Sequence, residues 1–81
     1  MDASPPVSLA DLDAGVTARV VAVPSAELDR LAAEGLHRGD VLEVETRLPL
    51  GGPVVVRLGR ARVALARGVA AQIVVVPQDS R

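Results

Sequence analysis

The chain has 81 residues, a net charge of −1, 49% hydrophobic residues and no cysteine. A sequence this short closes one hydrophobic core and leaves no room for a second domain. The near-neutral charge excludes the general attraction of a strongly basic domain to nucleic acid or anionic lipid, and the missing thiols exclude a disulfide framework or a thiolate metal site, as suits a reducing cytoplasm.

Residues 1–8 hold Pro5 and Pro6 and no apolar periodicity, and they read as a mobile leader. They lack the basic and apolar regions of a secretory signal, and no apolar run approaches the roughly 18 residues of a membrane span. Leu9 and Leu12 are spaced as in one helical turn, and the β-branched run from Val16 to Val23 predicts the first strand, ended by Pro24. Ser25 is a good helix N-cap, and Leu28, Leu31 and Ala32 then form one apolar stripe. Gly35 stands where a left-handed residue ends that helix, with Leu36 placed to fold back on the last turn.

His37, Arg38, Gly39 and Asp40 make a turn, after which Leu42, Val44, Thr46 and Leu48 alternate with Glu43, Glu45 and Arg47 as in a half-buried strand. Pro49, Leu50, Gly51, Gly52 and Pro53 form a loop. Residues 54–58 and 61–65 are two strands joined across Gly59 and Arg60, which suits a type II′ hairpin. Residues 67–71 read as a single irregular or 3₁₀ turn, and the run from Ile73 to Val76 is a last strand closed by Pro77, leaving residues 78–81 to fray. The expected fold over residues 9–77 is mainly β: five short strands, with one short helix inserted after the first, bent into a small closed barrel. Phe, Trp and Tyr are absent, so its core is built from Val, Leu, Ala and one Ile.

Charge divides along the chain. Residues 1–46 carry nine carboxylates against three arginines, a net −6, while residues 47–81 carry six arginines against Asp79 alone, a net +5. This split either makes one electrostatic docking face or is blurred by a fold that interleaves the halves. Arg57, Arg60, Arg62 and Arg67 cluster around one hairpin, and guanidinium groups grip carboxylates with bidentate geometry. The blander reading is that they keep a valine-rich hairpin in solution. Leu50 has no core register and marks a hydrophobic contact.

Catalysis needs a nucleophile beside a base or paired titratable groups, and a chain without Cys, Lys or Tyr and with one His offers neither. His37 with Asp40, Glu43 and Glu45 is the one set resembling a metal site, but a lone imidazole in a turn gives no ligand spacing, and no metal or cofactor is expected.

The joint spacing of Leu9, Leu12, Gly15, Ala18 and Val20, of Arg30-Leu31 and Gly35-Leu36, of Gly39, of residues 49–53, and of Leu65, Ala70, Ile73 and Val75 resembles the ferrous iron transport protein A (FeoA) family. That family usually has Leu-Gly-Leu where this chain has Glu34-Gly35-Leu36, and an Arg where it has Ala66, with Arg67 one place later. The resemblance implies an SH3-like barrel. It also implies a non-enzymatic cytoplasmic accessory of ferrous iron uptake that acts on the GTP-binding domain of the membrane transporter FeoB, reaching the membrane only through that partner. The candidate protein-binding residues are Leu36, Arg38, Leu50, Arg57, Arg60, Arg62 and Arg67. Weak self-association is a further expectation for so small a domain. The competing class is a nucleic-acid-associated barrel, or a stand-alone relative of the C-terminal domain of DtxR-type repressors. Against nucleic acid stands the lack of any aromatic on which bases stack.

Overall fold

A computed structural model describes residues 5–78. Six antiparallel strands form one sheet: β1 (Val7–Ser8), β2 (Thr17–Ala22), β3 (Val41–Arg47), β4 (Val54–Leu58), β5 (Ala61–Leu65) and β6 (Val74–Gln78). Their order in the sheet is β1-β6-β2-β3-β4-β5. Two short helices, α1 (Leu28–Ala33) and α2 (Arg67–Gln72), and two 3₁₀ turns, Leu9–Asp11 and Ser25–Glu27, complete the fold.

The period-2 reading of the sequence gives the sheet its faces. Ala18, Val20, Leu42, Val44, Val54, Val56, Val63, Leu65 and Val75 point inward and are buried, joined by Leu9, Leu12, Leu31, Leu36, Ala70 and Ile73 from the turns and helices. No polar or charged residue falls in the buried core among the described residues. Register slips between Val20 and Ala22 and between Val44 and Thr46. Each bulge sharpens the local twist, so the sheet curls over this aliphatic core.

Several expectations need correction. The sheet has six strands, not five, and among the described residues β1 and β5 stand at its two ends without pairing to each other, so ladder closure into a barrel is not seen. The sixth strand comes from the expected leader. Val7 and Ser8 pair with Val75 and Val74, and two residues after a Pro-Pro pair are too few to show a period. Residues 1–4 of that leader lie outside the described residues, as do 79–81 of the tail. Gln78 belongs to β6, opposite Thr17. β6 runs on through Pro77 because β1 has ended by then, and a sheet edge tolerates a residue without an N–H.

The first helix begins differently from its forecast. A 3₁₀ turn preceded by Pro24 comes first, and no side chain, Ser25 included, caps it. Of the expected stripe only Leu31 is buried, while Leu28 remains 49% exposed. The end of α1 is as read. Gly35 takes φ +91°, its N–H donates to the Ala32 carbonyl at 2.9 Å, and the Leu36 N–H donates to the Leu31 carbonyl at 2.9 Å. These two bonds are a Schellman motif, and Leu36 closes it by entering the core. A Cβ at Gly35 would meet nothing within 4 Å, so Gly35→Ala tests conformation alone. It is expected to lower stability by about 1 kcal/mol in urea denaturation, with the native contacts intact.

The irregular turn expected over residues 67–71 is α2, six residues long. Gly68 and two adjacent alanines gave no helical stripe to read; the helix is held instead by Ala70, buried in the core, and by the Ser8 hydroxyl, which donates to the Ala71 carbonyl at 2.9 Å.

Candidate functional site

The antiparallel register brings the two charged halves of the chain together. Across the outer face of the sheet, Thr17, Glu43, Arg57 and Arg62 form one row through successive pairings. Arg57 Nη2 lies 3.1 Å from Glu43 Oε1, and Arg62 Nε lies 3.0 Å from Glu45 Oε1. Both pairs are largely exposed and contribute about 0–1 kcal/mol each. They nonetheless leave two guanidinium groups of the hairpin already neutralised by carboxylates of β3. Interleaving, and not a single basic face, is what the fold produces here.

Arg67 is committed in another way. Its Nε donates to the Gly52 carbonyl at 3.0 Å and its Nη2 to the Leu48 carbonyl at 3.0 Å. It thus grips the loop between β3 and β4 from the first residue of α2. Arg38 and Arg60 are exposed and make no ion pair among the described residues.

The two candidate leucines part company. Leu36 is 1% exposed and belongs to the core, so it cannot contact a partner while the domain is folded. The fold-back onto the last turn that the sequence suggested takes Leu36 all the way into the core beneath α1, which removes it from the candidate contact residues. Leu50 is 102% exposed, and Leu48 beside it 41%. Leu50 also has φ 61° and is the one non-glycine residue with positive φ among the described residues. Nothing in the sequence signalled that conformation, since leucine is a poor left-handed residue.

At the remaining polar cluster, Asp40 accepts the His37 N–H at Oδ2 over 2.8 Å, and the His37 Nδ1 lies 3.3 Å from the same oxygen. This carboxylate closes the turn between α1 and β3. Glu43 and Glu45, which the sequence placed as companions of His37, are instead held by Arg57 and Arg62. Among the described residues no three His, Asp or Glu side chains converge, and the surface holds no pocket. No helix among them is long and apolar enough to cross a membrane. What the described residues offer lies on the exterior: an apolar loop tip at Leu50, Arg38 and Arg60 without ion pairs, and a sheet face whose charges are paired.

Comparison with known proteins agrees with this architecture. The FeoA domain family matches residues 7–77. Among solved structures, the FeoA protein from Chlorobium tepidum is 32% identical with a TM-score of 0.82, covering 93% of this chain and 73% of that one. An iron uptake regulatory protein (FeoA) is 27% identical with a TM-score of 0.81, covering 91% of this chain and 99% of that one. A manganese-dependent transcriptional repressor is 26% identical with a TM-score of 0.84, covering 96% of this chain but 45% of the repressor. No curated protein sequence matches the chain. With its aliphatic core, its curled six-stranded sheet and a family match running from β1 into β6, the chain belongs to the FeoA domain family.

Proposed function

We propose that this chain is a non-enzymatic cytoplasmic accessory of ferrous iron uptake that binds the GTP-binding domain of the transporter FeoB and modulates it. The observation that carries this reading is the family match over residues 7–77 on a domain whose chemistry-bearing groups lie on its outside. The proposed contact surface keeps Leu50, Arg38 and Arg60 from the sequence reading and drops Leu36. Arg57 and Arg62 keep a place in it only as paired charges, which position a partner through complementarity more than they add affinity.

The test is direct titration of the full chain against the cytoplasmic GTP-binding domain of the transporter from the same organism, with GTP turnover followed in parallel. Binding in the micromolar range is expected, as for a small transient interface. Replacing both Arg38 and Arg60 by Glu is expected to slow association several-fold at low salt. No interaction at tens of micromolar would sink the reading.

A second reading is favoured by the likeness to the manganese-dependent repressor, of which this chain spans 45%. On that reading the chain is a stand-alone regulatory domain of the kind such repressors carry. A gel shift with mixed DNA and RNA at low salt separates the two. Retarded nucleic acid would favour nucleic-acid association over the transporter, and the net charge of −1 and lack of aromatics predict none.

A further inference from the structure

We propose that the loop between β3 and β4 is a preformed peg: Arg67 holds Leu50 outward as the apolar anchor for a folded protein whose receiving surface is an apolar socket ringed by carboxylates. The inference deepens the protein-binding reading above and rests on it.

Three observations converge on this loop. Leu50 and Gly51 have φ 61° and 73°, and the Gly52 N–H donates to the Pro49 carbonyl at 3.1 Å. A two-residue turn with both central φ values positive favours Asn or Gly first, and the Cβ of leucine is strained there. The same leucine is wholly in water, so it is unfavourable in both conformation and solvation for the isolated domain. Such strain persists only where surrounding structure enforces it, and here the enforcing groups are visible. The Leu48 N–H donates to the Pro53 carbonyl at 3.0 Å, closing the base of the loop. Arg67 fastens both flanks of the turn at once through the Leu48 and Gly52 carbonyls, and a planar guanidinium fork fixes two acceptors more rigidly than any single donor.

A rigid apolar knob loses little freedom on binding, which is the main cost of docking a loop. The chemistry of its surroundings selects the socket. Arg47, next to Leu48, has a buried Nε without a hydrogen-bond partner among the described residues, and its Nη1 reaches Asp13 only at 3.7 Å. Asp13 thus offsets Arg47, but Arg67 donates its hydrogen bonds to neutral carbonyls and has no carboxylate partner among the described residues, so the base of the peg keeps an excess positive charge. Carboxylates on the rim of the receiving surface complement that excess. Arg67 is thus a positioning residue and not, as the sequence reading had it, a docking cation.

The experiment is titration calorimetry of the full chain and its variants against the GTP-binding domain named above, with thermal denaturation of each variant. Leu50→Ala is expected to weaken binding tenfold or more without lowering the melting temperature. Leu50→Asn is expected to weaken binding and raise the melting temperature, because asparagine tolerates the left-handed conformation. Arg67→Gln is expected to weaken binding with Leu50 intact, to speed amide exchange at Gly51 and Gly52, and, at high salt where its charge is screened, to add nothing further in the Leu50→Ala background. Wild-type affinity is expected to fall as salt is raised.

Binding by Leu50→Ala within twofold of wild type would overturn the peg while leaving the protein-binding reading in place. Multiplying effects of Leu50→Ala and Arg67→Gln at high salt would put Arg67 in contact with the partner and overturn its positioning role. Salt-independent binding would overturn the carboxylate rim. If wild type does not bind at all, the reading beneath the inference fails with it. Self-association abolished by Leu50→Ala would then mark a second copy as the occupant, in place of the partner proposed here.

Discussion

Leu36→Ala is expected to lower the free energy of unfolding by about 2–5 kcal/mol, whereas Leu50→Ala changes it by no more than about 0.5 kcal/mol. Leu36 is 1% exposed, at the point where the chain leaves α1 and turns under it. Truncation there removes buried methyl groups and leaves a cavity among aliphatic neighbours that hold their positions through the sheet. Leu50 buries nothing, so the same substitution removes no packing. A domain of this size has a total stability of only about 4–12 kcal/mol, so the first variant will show a substantial fraction unfolded on mild heating and the second will not. Paired urea titrations measure both. Equal midpoints for the two variants would contradict the placement of Leu36 in the core.

Beginning the chain at Leu9 instead of Val7 is expected to cost about 2–4 kcal/mol. A mobile leader would be removed without consequence. Val7 and Ser8 instead pair with Val75 and Val74, Val7 packs on the core, and the Ser8 hydroxyl both accepts the Ala10 N–H at 3.2 Å and donates to Ala71 at 2.9 Å. Two residues therefore tie the first 3₁₀ turn, β6 and the end of α2 to one another. Their loss exposes one side of β6, a valine-rich strand, so aggregation of the shortened chain is expected to accompany the lower urea midpoint. A midpoint unchanged by the deletion would mean that the two-residue strand contributes nothing to the fold.

Both predictions turn on the same distinction between partners near in sequence and partners brought near by folding. The FeoA fold needs few residues to define it. Within it, Leu50 is exposed and, among the described residues, the one non-glycine at positive φ, with Arg67 bound to the carbonyls on either side of its turn.

The sequence by itself determined the features that depend on neighbours a few residues apart. Alternation located β3, β-branched runs bounded by glycine and proline located β2, β4 and β6, Gly35 with Leu36 marked how α1 ends, two residues after Leu58 set the hairpin to β5, and the joint spacing of small and aliphatic residues pointed to the family. Only the tertiary structure decided the rest. The pairing of β1 with β6 and the hydroxyl bond from Ser8 to Ala71, 63 residues away, have no local pattern. The charge split between the halves misled for a related reason: antiparallel register sets Glu43 beside Arg57, so charges segregated along the chain become neighbours across the sheet. Leu36 and Leu50 are the same residue type beside glycines and both stood as contact candidates, though only Leu36 had a local partner, the last turn of α1. The core takes one where the chain turns under α1, and the solvent keeps the other on a loop that Arg67, 15 residues beyond Gly52, fastens at both flanks.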